Sequence, residues 1–196
     1  INADSVQLYD ALHVLAAQPD ANEQAQAPHK LYGFLDPNKN CSAADWRHLA
    51  IQEIDKAHAQ GQTPIIVGGT GFYLNTLLKG LSPMPEIPAD IRAKAIAHQQ
   101  KIGTDALFAE LQERDPEIAA KLDPKNTQRL TRAWEVLEHT GKSLAYWQSQ
   151  PPVGPPAHYQ FLTCALLPPR DYLYERCNLR FDIMLDQGAM EEAKWL

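Results

Sequence analysis

Apolar residues in this chain follow two rhythms. The short continuous runs Ile65-Ile66-Val67 and Phe161-Leu-Thr-Cys-Ala-Leu-Leu167 have the density of strands buried on both faces of a parallel sheet. Elsewhere apolar positions recur at helical spacing. Ser42 predicts an N-cap, with Asp45 at N3, ahead of Trp46, Ala50, Ile54 and Ala57, and Gly61 fits the stop. Thr63 to Val67 then reads as a short buried strand and Thr70 to Lys79 as a helix ended by Gly80. Pro28 to Leu35 alternates imperfectly and fits a short strand. Asp10 to Ala27 is polar and alanine-rich, a loop with short helical pieces.

After Ser82 the rhythm changes. Pro83, Pro85 and Pro88 make an extended lead-in, and helices with breaks at Gly103 and Asp115-Pro116 follow. A strong helix from Asn126 or Thr127 puts Leu130, Ala133, Trp134 and Leu137 on one face and stops at Gly141. Pro151-Pro152-Val-Gly-Pro155-Pro156 reads as a connection. A last helix, from about Arg170 to Gln187, carries Leu173, Cys177, Phe181 and Met184 as an apolar stripe. The pattern predicts an α/β fold with an inserted all-helical subdomain. The expected boundaries are 1–82 for the first part of the core, 83–143 for the insertion and 144–196 for the connection and the rest of the core.

Composition narrows this little. The 196 residues are 44% hydrophobic and 21% charged, ordinary for a globular protein. No apolar run reaches the ~20 residues that span a bilayer. No basic and apolar leader opens the chain, and three widely spaced cysteines (Cys41, Cys164, Cys177) fit reduced thiols in the cytosol. A net charge of −6 argues mildly against a polyanion partner, although one local basic face would outweigh it. The start at Ile1 and the stop at Leu196 inside a helical pattern read as a fragment.

Candidate chemistry gathers where strands should give way to helices, the place where open α/β sheets bind ligands. Asp4, Ser5 and Gln7 offer a proton acceptor, a hydroxyl and an amide able to read a base edge. On spacing alone, Asp4 or Ser5 capping a helix explains them as well. Gly68-Gly69-Thr70-Gly71 offers backbone N–H groups and a hydroxyl to an anion, or simply a tight turn. It is no Walker A loop, and no such pattern occurs in the chain. Arg129 and Arg132, with Lys121 and Lys125 upstream, make a basic patch suited to phosphate or to nothing beyond solvent. Arg176 and Arg180 stand i, i+4, where like charges repel unless an anion or a carboxylate lies between them.

Taken in order, INADSVQLY, PHKLYGFLD, CSAADWRHLA, PIIVGGTGFYLNTLLKGLSPMP, PADIRAKA, DPKNTQRLTRAWEVLEHTGKSL and LYERCNLRFDIMLDQGAMEEA resemble the tRNA dimethylallyltransferase family over nearly the whole chain. The resemblance implies a P-loop kinase-like parallel sheet core with the helical insertion, and Mg²⁺ as cofactor. It implies transfer of a dimethylallyl group from dimethylallyl diphosphate to the exocyclic amine of an adenine beside the tRNA anticodon. Carried over residue by residue, Asp4 is the general base, with Thr70 and Arg180 at the reacting centre. Ser5, Val6 and Gln7 complete the loop around a flipped adenine. Gly69, Thr70, Arg176 and Arg180 face the diphosphate. Arg92 and the run Gln128-Arg129-Leu130-Thr131-Arg132 contact tRNA, whose anticodon stem-loop is the expected partner of a cytoplasmic monomer that binds no membrane. The family's Walker A loop would precede residue 1, so this stretch alone is expected to be a poor catalyst. Where the family reads close to R-G-L-D-I-G-T-A-K-P, this chain has Asp10-Ala-Leu-His-Val-Leu-Ala-Ala-Gln-Pro19, and no role transfers there. The rival readings are an adenylate isopentenyltransferase acting on a free nucleotide, a small-molecule kinase of the P-loop class and a non-catalytic RNA-binding module.

Overall fold

The structure is a computed structural model and describes residues 1–195. Among them ten helices alternate with turns: α1 (Ala21–Gln26), α2 (Ala43–Ala59), α3 (Gly71–Lys79), α4 (Ala89–Ile102), α5 (Thr104–Arg114), α6 (Pro116–Ala119), α7 (Thr127–Thr140), α8 (Leu144–Ser149), α9 (Arg170–Asp186) and α10 (Ala189–Trp195). The chain divides into two compact units. One joins Ile1–Lys79 to Pro155–Leu196, and the other is Gly80–Gly154.

In the first unit, residues 1–3 run parallel to residues 65–70. Val67 N–H donates to the Ile1 carbonyl at 2.9 Å, Ala3 N–H to Val67 at 2.7 Å and Thr70 N–H to Ala3 at 3.1 Å. α2 begins as its residues dictate: the Ser42 hydroxyl accepts from the Asp45 N–H, and the Asp45 carboxylate accepts from the Ser42 N–H. The helix thereby turns Trp46, Ala50 and Ile54 inward. Trp46 stacks on Tyr73 of α3 with ring centroids 4.6 Å apart, and its indole N–H donates to the Asn2 carbonyl at 2.9 Å. Leu8 and Leu77 complete this core. Burial of one such large side chain stabilises the unit by about 1.5–3 kcal/mol.

The expected sheet is much reduced. Among the described residues pairing is confined to isolated bridges, Asn2 with Val67 and Tyr9 with Leu35 in parallel, and Leu81 with Val153 antiparallel. Residues 63–67 do not form a buried strand: Ile65 is 69% and Val67 55% exposed. Nor do residues 161–167, where Leu162 is 98% exposed and no bridge forms. A run of apolar residues specifies a strand only when a neighbour satisfies its backbone, and no described segment flanks these two runs on both sides. For the same reason α9 forms where its periodicity puts it, yet buries none of its residues.

The second unit is built on five helices, α4 to α8. α7, capped by the Asn126 side chain and ended by left-handed Gly141 (φ 66°), buries Leu130, Ala133, Trp134 and Val136. Ala95 of α4, Leu107 and Leu111 of α5 and Ile118 of α6 pack around them. A polar clasp crosses this core: Glu110 accepts from His98 Nε2 at 2.6 Å, Arg114 Nη1 at 2.8 Å and Trp134 Nε1 at 2.8 Å. Burial alone would raise the Glu110 carboxyl, but these three donors outweigh it and hold the pKa down at about 2. The unit runs past the expected boundary at 143, because α8 buries Leu144 and Ala145 within it. It closes where Val153 N–H donates to the Leu81 carbonyl at 2.8 Å. Gly80 (φ 87°) lies so near that a Cβ there would meet the Val153 carbonyl oxygen at 2.2 Å.

Candidate active site

The loop after residues 1–3 and the loop after Val67 meet, as their sequences suggested. No helix starts at Asp4 or Ser5, so the capping alternative falls away. Instead the Asp4 carboxylate accepts from the Val6 N–H at 2.9 Å, closing a short turn of the kind aspartate makes on its own backbone. The Ser5 N–H donates to the Thr70 hydroxyl oxygen at 2.9 Å, and the Thr70 hydroxyl lies 3.3 Å from that of Ser5. Asp4, Ser5 and Thr70 are half-buried, and Gly69 is exposed.

Two residues hold this loop, one that sequence reasoning passed over and one it read only as part of an anion site or tight turn. The Asn2 side chain, fully buried, accepts from the Asp4 N–H at 2.8 Å and donates to the Asp4 and Leu31 carbonyls at 2.9 and 3.0 Å. It therefore fixes the peptide groups on both sides of Asp4. Its signal was a buried-type position occupied by an amide. Gly68 is the other: a Cβ there would lie 2.3 Å from the Ala3 carbonyl carbon and 2.7 Å from the Asp4 nitrogen. At Gly69 and Gly71 a Cβ would meet nothing within 4 Å, so close packing does not require glycine at either.

Gln7 is placed differently from expectation. Its amide nitrogen donates to the carbonyls of Ala16 and Ala17 at 2.8 and 3.0 Å. Those N–H groups hold the 10–19 loop and are not available to read a base edge. The same loop is tied at its tip by Glu192 of α10, which accepts from the Val14 and Leu15 N–H groups at 3.1 and 2.7 Å. Val6 is 49% exposed beside Asp4.

Arg180 makes no hydrogen bond or ion pair with Asp4 or Thr70 among the described residues. It lines a cleft of about 700 Å³ with His13, Gln18, Tyr32, Gly33 and Ile183. Tyr32 links the two places: burial raises its hydroxyl pKa, and the charge of Asp4 raises it further. Arg176, one turn earlier on α9, is exposed and is not part of that lining.

In the helical unit, Arg92 of α4 and Gln128 and Arg129 of α7 are exposed, and Arg132 is half-buried. The Thr131 hydroxyl donates back to the Thr127 carbonyl at 2.8 Å. Leu130 corrects the expected tRNA-binding run: it is 0% exposed in the core, so its side chain cannot touch RNA. Sequential positions on a helix point to different sides, and this one points inward. Among the described residues no three His, Cys, Asp or Glu side chains gather as metal ligands, and no helix is long and apolar enough to cross a membrane.

A family model described as IPP transferase matches residues 7–196. The chain belongs to the IPP transferase family. A tRNA dimethylallyltransferase of Rhodospirillum centenum is 50% identical over 196 residues, covering 100% of this chain and 62% of the relative. One from Novosphingobium aromaticivorans is 47% identical, with 100% and 68% covered. The chain thus spans about three fifths to two thirds of the length of these relatives. Among solved structures, a eukaryotic dimethylallyltransferase acting on tRNA matches with a TM-score of 0.80 at 26% identity, covering 99% of this chain and 48% of that one. The full-length tRNA isopentenylpyrophosphate transferase of Bacillus halodurans matches with a TM-score of 0.55 at 33% identity, covering 100% and 60%. This IPP transferase chain shares their fold, while its own parallel pairing stays limited to single bridges.

Proposed function

We propose that the protein containing this chain transfers a dimethylallyl group from dimethylallyl diphosphate to the exocyclic amine of an adenine next to the tRNA anticodon. The carrying observation is Asp4, its backbone held by Asn2 and its carboxylate by the Val6 N–H, beside the Ser5–Thr70 clasp that joins the two loops. Family membership and relatives of that activity support the choice of reaction.

An adenine amine is a weak nucleophile because its lone pair is delocalised into the ring. The allylic carbon–oxygen bond therefore loosens as the nitrogen attacks, and the diphosphate leaves with the electron pair. The new carbon–nitrogen bond sheds one amine proton, and Asp4 receives it. In this reading the backbone N–H groups of Gly69 and Gly71 and the Thr70 hydroxyl receive the leaving anion. Arg180 faces the same centre in this reading, acting from the cleft it shares with Tyr32. Reaching the amine requires the base to leave its stack. Arg92, Gln128, Arg129, Thr131 and Arg132 supply the RNA-facing side of the helical unit. Mg²⁺, bound together with the donor, would supply positive charge to the leaving diphosphate. No step above runs through it. The setting is a monomeric, cytoplasmic enzyme, where tRNA and donor meet.

The test is transfer of labelled dimethylallyl diphosphate to an adenosine-containing anticodon stem-loop by the whole protein, with Asp4→Asn alongside. Product from the parent that falls about 10²–10⁴-fold in the variant, at unchanged RNA affinity, supports the reading. RNA binding without product favours a binding module, and product from free adenylate favours a nucleotide prenyltransferase.

A further inference from the structure

Glu135 stands out in the helical unit as a carboxylate only 4% exposed. It lies on α7 and meets two arginines from different helices. One oxygen accepts from Arg132 Nη1, one turn earlier on the same helix, and the other lies 3.9 Å from Arg92 Nε on α4. The two arginines reach outward from it, with side chains 35% and 57% exposed.

A buried carboxylate is costly unless paired, and two guanidinium groups near one another repel. Glu135 answers both constraints at once. The Arg132 guanidinium hydrogen-bonds the carboxylate, which fixes its plane, while Arg92, at 3.9 Å, is held near by charge. A phosphate needs that fixed fork more than it needs raw charge. Arg129, exposed on the preceding turn, is not among the partners of Glu135.

We infer that Glu135 is a positioning residue for RNA: it sets the guanidinium groups of Arg92 and Arg132 to receive two backbone phosphates. The inference rests on the proposed tRNA substrate. It opposes the simpler electrostatic view, in which a carboxylate beneath a basic face only subtracts from its attraction for RNA.

The two views differ in sign. Glu135→Gln in the whole protein adds one unit of positive charge while removing the anchor. Positioning predicts that affinity for an anticodon stem-loop falls about tenfold, the scale of a missing charge-assisted bond. The slope of log K against log salt flattens by roughly 0.7–0.9 for each phosphate that is no longer neutralised. The KM for RNA rises, and kcat at saturating RNA holds. Equal or tighter binding, with a slope unchanged or steeper, overturns the inference. Glu135→Asp keeps the charge but draws it back by one methylene. It is expected to move affinity and slope the same way by less, and no change there also overturns the inference. Circular dichroism melts confirm that each variant is folded at the assay temperature. A parent that binds no stem-loop would instead remove the tRNA substrate itself, a different failure from that of Glu135.

Discussion

The Thr70 hydroxyl accepts the Ser5 backbone N–H at 2.9 Å across 65 residues of sequence, joining the two loops that frame Asp4. Thr70→Val keeps the shape and removes the acceptor. The half-buried N–H of Ser5 then loses its partner, a change that costs about 1–3 kcal/mol. A thermal melt should fall accordingly, with prenyl transfer falling further because Asp4 is the next residue. Thr70→Ser should retain most of both. Equal melts for Thr70→Val and the parent would show that the clasp contributes nothing.

The glycines divide sharply. Gly68→Ala would force a methyl carbon to 2.3 Å from the Ala3 carbonyl carbon, so the loop must shift and carry Asp4 with it. Gly69→Ala meets open space. The expected outcome is loss of turnover and a lower melting temperature for Gly68→Ala, with near-parental stability for Gly69→Ala. Equal behaviour of the two in melts and turnover would contradict the packing.

The helices were legible because what specifies them is local. Ser42 with Asp45, Asn126 before α7 and Gly141 after it each act within one turn, and all three occur where the residue types required. The meeting of the Asp4-Ser5 loop with the Gly68–Gly71 loop was also legible, since each was placed where a strand gives way to a helix. Strands at 63–67 and 161–167 were not. Their apolar runs hold the right residues, but pairing depends on neighbours far along the chain, and Ile65 and Leu162 stay exposed. The helix that carries Arg180 was readable too, while the cleft it lines with His13 and Tyr32 was not, because those partners lie far along the chain. Leu130 shows the limit of reading a motif as a block, because one member of a run can face the core while those beside it face solvent.

That distinction gives a further test. Leu130→Ala should destabilise the helical unit by about 2–5 kcal/mol, as large-to-small changes in a core do. Its RNA affinity should be unchanged at temperatures where it stays folded. Arg129→Glu should do the opposite, weakening stem-loop binding while leaving the melt within ~0.5 kcal/mol of the parent. Loss of RNA binding in folded Leu130→Ala would return that residue to the interface.

Acid should find the Glu110 clasp. Its carboxyl pKa is depressed in the folded state, to about 2 from an ordinary 4.5. The stabilisation it provides is therefore complete above the unfolded value and is lost as pH falls from about 4.5 towards 2. The whole contribution is on the order of 2–3 kcal/mol. Denaturant melts of the parent between neutral pH and pH 3 should show this loss. Glu110→Gln should be less stable at neutral pH and should lose less on acidification. A parallel decline in both proteins would assign the acid sensitivity elsewhere.

The near-contact of Gly80 with Val153 bears on what the helical unit tolerates. The polypeptide leaves and rejoins its path at one pinch point, fastened by backbone groups whose chemistry nearly every residue type shares. Lengthening or shortening the helices between those two positions leaves the spacing of the pinch unchanged, provided the glycine stays. The closure of that unit therefore rests on one residue without a side chain, and the helices inside it can change without touching it.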